Sequence, residues 1–390
     1  MPSTVYKKQS PNTKLTLFLG TRELIVDNGE SSPVDGVVLI DPSYVKERKV
    51  YALVILTFRY GREDEEVMGL KFYTEAVLDF KQIYPPPEPI DHNDLSPLQQ
   101  NLLRRLGNNA YPLTMEVSSQ APASVRLQPA RAYSGSPLGV CYDLKVFVGE
   151  RLDDRSYKRS SIRMSLRCLH YTPTQNFNPL THPTASVRKT FAFSPGRLDI
   201  EVKLDREIYQ HGDTLRIHVT LNNNSIKTVQ KIKLYVIQHV LVCMFTNGHF
   251  KNLVGNAETD KKHPIPAGAS ISRDFAIKLM SFLKYPVALA VESGLQEDSP
   301  ILASTTTTGG PKEKNPYGVV VSYEVKVKIV LGCIDRSIVV RLPFKILKPR
   351  PLDDQARNGY EATQKTVSID VVEADPMIAE QIAKLASLRS

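Results

Sequence analysis

The chain has 390 residues, 42% hydrophobic and 23% charged, which is long enough for two or three globular domains with ample cores. Its first residues lack the apolar segment of a secretory signal, and its longest apolar runs, 50–58 and 236–245, are too short to span a bilayer. The net charge of +9 is uneven, with +10 on residues 171–350 and −3 on residues 351–390, which predicts a basic body with an acidic tail.

The motifs of enzymes and metal sites are missing from the sequence. Its four cysteines are far apart and lie in apolar stretches, which indicates reduced core thiols of a cytosolic protein. No nucleophile elbow, zinc-type histidine pair or phosphate-holding glycine loop occurs, so an enzyme is the weakest hypothesis and we expect no cofactor or metal. No nucleic-acid motif occurs either, so nucleic acid is not an expected partner.

The first strands carry a pair of lysines. Residues 14–19 alternate partly and follow a turn at Pro11, which predicts a strand. Lys7 and Lys8 lie on the strand before it. Adjacent strand residues point to opposite faces, so only one of the two can face a given partner. Edge lysines that discourage aggregation are the ordinary explanation of such a pair.

Residues 58–70 form the most distinctive stretch of the chain. The β-branched and aromatic residues of 50–57 predict a buried strand, and residues 70–80 can pair back on it. Gly61 and Gly69 bracket a tip that holds one arginine, four consecutive acids, Val67 and Met68. Charge alone would indicate a solvated loop, but the apolar pair and the length of the loop favour a finger that enters a partner.

One helix interrupts the predicted strands. Ser96 can cap it, Gln99 completes a capping box, and Gly107 suits its end. Three leucines, at 98, 102 and 106, form its apolar stripe. Arg105 falls beside that stripe, while Arg104 points away from it. Basic residues in a last turn are well placed against the helix dipole whatever their other role.

The remaining chain predicts two domains of one architecture. Residues 137–146 are echoed by residues 316–327, and residues 41–57 more weakly by 205–221. Short strands separated by Gly, Pro and Asn turns indicate an all-β fold of two stacked, immunoglobulin-like antiparallel β-sandwich domains with one short helix. The predicted boundaries are an N-terminal domain at 1–170, a linker at 171–185, a C-terminal domain at 186–350 and a regulatory tail at 351–390.

The tail has two candidate docking elements. Val367, Ile369 and Val371 alternate as in a strand, whereas Ile378, Ile382 and Leu385 would share one face of a helix. We expect an autoinhibitory tail that covers basic residues of the first domain. The sequence leaves open whether it docks as a strand or as a helix.

Residues 58–70 closely resemble the finger loop of arrestins, cytosolic proteins that bind activated G-protein-coupled receptors. Further matches follow in family order at 5–12, 33–42, 103–107, 204–212 and 321–328. The chain is most similar to invertebrate visual arrestins. The resemblance implies the arrestin fold and a role in ending signalling by an activated, phosphorylated receptor, expected to be a rhodopsin-type opsin. The alternative is a trafficking adaptor of the same fold, although the PPxY motifs typical of such adaptors are missing.

The resemblance also implies site residues. Those of the phosphate-binding set are Lys7, Lys8, Arg22, Arg104 and Arg105. Those of the polar core, with Arg163 as a buried phosphate sensor between acids, are Glu23, Arg163, Glu292, Asp298 and Lys384. Those of the receptor finger loop are Arg62, Glu63, Asp64, Glu65, Glu66, Val67, Met68, Gly69 and Leu70.

Lys233 and Lys251 match two of three basic residues that arrestins use for inositol phosphates, but the third position is Ile237. The resemblance therefore implies a weakened site for inositol phosphates or phosphoinositides. It also implies weak self-association and peripheral recruitment from the cytoplasm to the photoreceptor membrane. The tail has no acidic-leucine clathrin box, so we expect no endocytic coupling by that route.

Overall fold

The structure is a computed structural model. It describes residues 5–27, 30–128, 133, 135–152, 154, 157–171, 182–191, 194–210, 212–243, 248–260, 263–279, 288–292, 301–306, 318–332 and 337–348, together with the backbone of 371–373.

The described elements are almost all strands. In chain order they are β1 Val5–Gln9, β2 Leu15–Leu19, β3 Glu23–Asp27, β4 Glu30–Ser32, β5 Val34–Ile40, α1 Pro42–Val45, β6 Lys49–Arg59, β7 Tyr73–Tyr84, α2 Pro97–Leu106, β8 Ala110–Met115, β9 Val125–Gln128, β10 Leu138–Gly149, β11 Ser161–His170, β12 Thr184–Phe191, β13 Ser194–Leu204, β14 Ile208–Gln210, β15 Thr214–Ser225, β16 Lys231–Val242, β17 Gly248–Glu258, β18 Ser270–Lys278, β19 Leu289–Glu292, β20 Val319–Val330, β21 Ile338–Leu347 and β22 Val371–Glu373. Two 3₁₀ turns, Glu63–Glu65 and Lys158–Ser160, complete the set.

Two sheets form the N-terminal sandwich. One has the strand order β22–β1–β2–β5–β8, and the other runs β19–β9–β10–β11–β3–β4, with β6 and β7 added on the free side of β10. Buried side chains such as Leu17 and Leu113 of the first sheet belong to the same core as Leu144 and Met164 of the second. Alternating burial along β11 follows from one face meeting this core.

The buried strand predicted at 50–57 is confirmed as β6. Seven consecutive side chains from Val50 to Leu56 are buried because this strand is covered on both faces. Val54 and Leu56 face the main core, whereas Leu53 and Ile55 belong to a second cluster on the outer face. The finger loop therefore begins at the end of a strand that is buried on both faces.

The predicted helix is confirmed as α2, with the Ser96–Gln99 capping box present in both directions. Leu102 packs against Val5, Phe18 and Val37, which fixes the helix on the outer face of the first sheet. The prediction of one helix missed α1, a single turn. Its local signal was Asp41, which caps the turn by accepting a bond from the Ser43 amide.

The other two sheets, β12–β13–β15–β18 and β14–β21–β20–β16–β17, form the C-terminal sandwich. Burial alternates at nearly every residue of β16 and β20, the two central strands, because one face packs on the core and the other is solvated. The two echoed segments of the sequence become β10 and β20, each a central strand of its sheet. The all-β, two-sandwich prediction is confirmed.

One strand crosses from the second half of the chain to the first sandwich. β19 pairs with β9, so residues 289–292 join a sheet of the N-terminal sandwich. The buried Gln238 amide donates to Ala290 O at 2.8 Å and accepts from Ala290 N at 2.9 Å, which ties β19 to the C-terminal sandwich as well. The predicted domain boundary at residue 186 assigns residues 289–292 to the C-terminal domain, so it does not anticipate that this strand also joins the N-terminal sandwich.

The tail contributes β22, which adds to β1 in parallel register, with Val371 opposite Val5 and Glu373 opposite Lys7. Val367, Ile369 and the alternative helical set Ile378, Ile382 and Leu385 lie outside the described residues. None of the described helices is long and apolar enough to cross a membrane.

Candidate functional site

The loop between β6 and β7 projects three apolar side chains from its tip. Val67 is 58% exposed, Met68 fully exposed and Leu70 62% exposed. Met68 and Gly69 both have positive φ, which turns the backbone at this point. Exposed apolar side chains clustered at one point are typical of a surface that a partner covers.

The acids of this loop are held by contacts within the protein. Glu66 accepts from the Arg59 guanidinium at 2.6 Å and from the Phe72 amide at 3.1 Å, and both bonds lower the pKa of its carboxyl group, the Phe72 bond more strongly. Asp64 pairs with Arg62, which lowers the pKa of Asp64. The predicted mixed finger is therefore organised with its acids paired at the base and sides, and with Val67, Met68 and Leu70 presented outward.

Glu63 connects the finger loop to the loop between β9 and β10. Its carboxylate accepts from Ser136 Oγ at 2.7 Å and from the Ser136 amide at 3.0 Å. Its own amide donates to the Tyr133 hydroxyl at 2.9 Å. The hydroxyl and amide of Ser136 are the main reasons why the pKa of Glu63 lies below its ordinary value.

Four of the predicted phosphate-binding cations lie on β1 and α2. Lys7 is paired with Phe18, so it points to the face of the first sheet that α2 covers, whereas Lys8 is paired with core-facing Leu17. This register decides which of the two lysines shares a face with the helix. Arg104 and Arg105 lie exposed in the last turn of α2. Lys7 and α2 therefore lie on the same side of the first sheet, with Arg105 beside the apolar stripe of the helix and Arg104 pointing away from it.

The assignment of Arg22 to this set is corrected. Its side chain is buried, donates from Nε to Ser165 O at 2.8 Å and lies over the Tyr6 ring, with its guanidinium carbon 5.8 Å from the ring centroid. A guanidinium in this position supports the junction of the β2–β3 turn with β11. It does not present its charge to an anion from solvent in this conformation.

The assignment of Arg163 as a buried sensor between Glu23 and Glu292 is also wrong. The Arg163 side chain is 51% exposed on the outer face of the sheet. It pairs with Asp143 at 2.7 Å and Glu75 at 3.3 Å. Burial alternates along β11, and Arg163 is one of its solvated positions.

Arg167, four residues further along β11, occupies the position that Arg163 was expected to hold. It lies opposite Glu23 in the parallel β3–β11 register, and the two side chains form an ion pair. Their side chains are only 18% and 28% exposed. Arg167 Nε is buried and has no hydrogen-bond partner among the described residues. A partly buried guanidinium whose Nε–H has no acceptor is suited to donate a hydrogen bond to an anionic oxygen.

Glu292 pairs with a different cation. Its carboxylate lies 3.2 Å from Lys348 Nζ and accepts from Ser304 Oγ at 3.2 Å. The structure therefore separates the predicted polar core into an Arg167–Glu23 pair and a Lys348–Glu292 pair. Asp298 and Lys384 lie outside the described residues.

The two lysines of the expected inositol-phosphate site do not come together. Lys251 is opposite His239 in the β16–β17 register, six residues from Lys233 along β16, which is roughly 20 Å. Lys233 also lies 3.9 Å from Glu258. With Ile237 between them, these positions do not form a compact polyanion site.

Comparison with known proteins agrees with the architecture. Residues 15–173 match the family described as Arrestin (or S-antigen), N-terminal domain, and residues 194–351 match Arrestin (or S-antigen), C-terminal domain. An arrestin homolog of Heliothis virescens is 40% identical over 347 residues, which cover 89% of this chain and 90% of the relative. Phosrestin-2 of Calliphora vicina and Phosrestin-2 of Drosophila melanogaster are each 38% identical, over 349 and 355 residues. Those alignments cover 89% of this chain and 95% and 94% of the relatives.

Proposed function

The chain belongs to the arrestin family, and we propose that it binds an activated G-protein-coupled receptor, blocks further coupling to G protein and so ends the signal. Arrestins are signalling adaptors, which confirms the prediction of a binding protein in place of an enzyme. The similarity to phosrestins supports an opsin of the rhodopsin type as the receptor, at the cytoplasmic face of a photoreceptor membrane.

The observation that carries this proposal is the exposed apolar tip of the finger loop. Covering a large apolar side chain completely contributes about 1.5–3 kcal/mol, so Val67, Met68 and Leu70 together can supply several kcal/mol of binding free energy. An activated receptor that opens a cytoplasmic cavity would cover all three. The paired acids at the sides would keep the loop soluble before it binds.

Receptor phosphates would be recognised in two steps. Lys7, on the face of the first sheet that α2 covers, and Arg104 and Arg105, exposed in the last turn of α2, would attract a phosphorylated segment. The Arg167–Glu23 pair would then act as the latch, because a phosphate oxygen can compete with the Glu23 carboxylate for the Arg167 guanidinium.

The tail would keep this phosphate-binding face covered until a receptor arrives. The parallel pairing of β22 with β1 supports docking as an added strand directly beside Lys7 and Lys8. The net charge of −3 on residues 351–390 favours this position next to a basic body. Receptor phosphates would displace the strand and release β1 in the same event.

The test is co-sedimentation of the full chain with receptor-rich membranes before and after receptor activation. We expect binding to rise on activation, and we expect Val67→Ser together with Met68→Ser to reduce that rise. Ile226→Ser is the matched control, because Ile226 is 65% exposed and lies far along the chain, at the end of β15. Equal binding to active and inactive receptor would reject the proposed function.

A further inference from the structure

The finger loop is fastened to the neighbouring β9–β10 loop by a small group of contacts. Glu63 accepts two hydrogen bonds from Ser136, through the hydroxyl and the amide, and its amide donates to the Tyr133 hydroxyl. The Arg62 guanidinium carbon lies 5.2 Å from the centroid of the Tyr133 ring. We call these contacts of Arg62 and Glu63 with Tyr133 and Ser136 the loop clasp.

Glu63 is the charged centre of the loop clasp. Asp64 is turned toward Arg62, and Glu66 toward Arg59 and the Phe72 amide, so these two acids hold the loop to itself. Glu63 instead holds it to a second loop, through a hydroxyl that can be modified chemically. A change at Ser136 would therefore act on the attachment of the finger without altering its apolar tip.

We propose that Ser136 is a phosphorylation site and that its phosphorylation opens the loop clasp. A protein kinase would transfer the γ-phosphoryl group of ATP: the bond from Ser136 Oγ to phosphorus forms, the bond from that phosphorus to ADP breaks, and the hydroxyl proton passes to a base of the kinase. The product carries about −1.5 to −2 charges at pH 7. The modified oxygen can no longer donate to the Glu63 carboxylate, and two anions then face each other in place of a hydrogen bond.

The surroundings of Ser136 suit a kinase substrate. Gly135 and Pro137 on either side are exposed, and the segment lies in a loop between strands. A proline directly after the serine is the feature that proline-directed kinases recognise. Ser136 itself is half-buried. Of the other described serines that precede a proline, Ser10 is buried, Ser32 and Ser194 lie in strands, and Ser96 caps α2.

The positive charge of Arg62 could in principle capture the new phosphate and tighten the loop clasp. Two observations favour opening. Arg62 donates from Nε and Nη2 to the Asp64 carboxylate, so its guanidinium is already paired. Glu63, in contrast, is in direct contact with the oxygen that becomes phosphorylated.

Hydrogen–deuterium exchange of the full chain, without receptor, tests the opening. With phosphoserine placed at position 136 by genetic-code expansion, we expect exchange in residues 60–72 to accelerate by about tenfold or more, as loss of a charge-assisted hydrogen bond implies. Phosphoserine at exposed Ser118 is the matched control and should leave that segment unchanged. Glu63→Lys combined with phosphoserine at 136 should restore protection. Unchanged or slower exchange with phosphoserine at 136 alone would overturn the proposal.

Two further measurements separate the modification from its consequence. The wild-type chain incubated with ATP and a proline-directed kinase should gain phosphate at Ser136 by mass spectrometry, and labelling that spares Ser136 would refute the site.

The regulatory part rests on the proposed function: phosphoserine at 136 should raise affinity for activated receptor by about fivefold or more. Failure of the wild-type chain to bind receptor would reject the proposed function and leave the exchange result standing. Equal affinity of the wild-type and modified chains would reject the regulation.

Discussion

Replacing Arg167 by glutamate should activate the protein, whereas the same change at Arg163 should not. Arg167→Glu places a second carboxylate against Glu23, in a pair whose side chains are 18% and 28% exposed. Breaking a fully buried pair by removing one partner costs about 3–5 kcal/mol, and an exposed pair contributes about 0–1 kcal/mol. Because the exposure of this pair is intermediate, we expect Arg167→Glu to destabilise the inactive state by about 1–3 kcal/mol.

Destabilising the inactive state shifts the protein toward the state that binds receptor. Since about 1.4 kcal/mol corresponds to a tenfold change, Arg167→Glu should raise binding to activated, unphosphorylated receptor by roughly 5- to 150-fold. Arg163→Glu is the matched control, because it has the same chemistry on the same strand and face. Its side chain is 51% exposed, so its loss should change binding by less than about fivefold.

The assay is titration of both variants against phosphatase-treated, activated receptor membranes, with circular dichroism to show that each variant is folded. Exchanging the charges, with Arg167→Glu and Glu23→Arg together, should return binding toward that of the wild type. If Arg163→Glu raised receptor binding and Arg167→Glu did not, the assignment of the latch to the Arg167–Glu23 pair would be refuted.

Three further outcomes are expected. A chain ending at Pro351 lacks β22 and should bind activated receptor more tightly and with less dependence on phosphorylation; unchanged titrations would leave the tail without an inhibitory role. Burial raises the pKa of Cys168 to about 12 and of Cys141 to about 11, so both thiols should resist iodoacetamide at pH 8 in the native chain and react after unfolding, as read by mass spectrometry. Gly139→Ala should lower stability by about 1–3 kcal/mol in thermal unfolding, because φ is +111° there and a Cβ would overlap the Val125 carbonyl; an unchanged melting temperature would contradict this.

Local patterns in the sequence were sufficient for elements whose stabilising contacts are close in the chain. The cap, stripe and end of α2 all lie within twelve residues, and the structure contains each of them. The hydrophobic run of β6 likewise indicated burial, although not that both of its faces are covered. The sequence alone did not show which lysine of the pair faces α2. That required the register in which Lys7 pairs with Phe18.

The phosphate-sensor position could not be fixed in the same way. Arg163, Ser165 and Arg167 lie on one face of β11 by alternation, so a local pattern does not distinguish the two arginines. The difference arises because β3, from far earlier in the chain, pairs with β11 only from Arg167 onward and brings Glu23 to it. Matching by resemblance chose the wrong arginine by four residues.

The shared strands show the same limit. β19 joins β9 and β22 joins β1 through partners separated by more than 150 residues. The alternation and charge of the tail predicted docking on the first domain, but they did not identify β1 as the partner strand, and the pairing of β19 with β9 was not predicted. One of these strands ties the two sandwiches together, and the other lies directly beside β1, which carries Lys7 and Lys8.

Photo-crosslinking from the finger tip tests the central claim, that this tip enters an activated receptor. A benzophenone amino acid placed at position 68, where Met68 is fully exposed, should crosslink to receptor in membranes after activation and not before it. The same group at position 226 should crosslink in neither state. Crosslinks from position 68 that are absent, or equal before and after activation, would contradict the account.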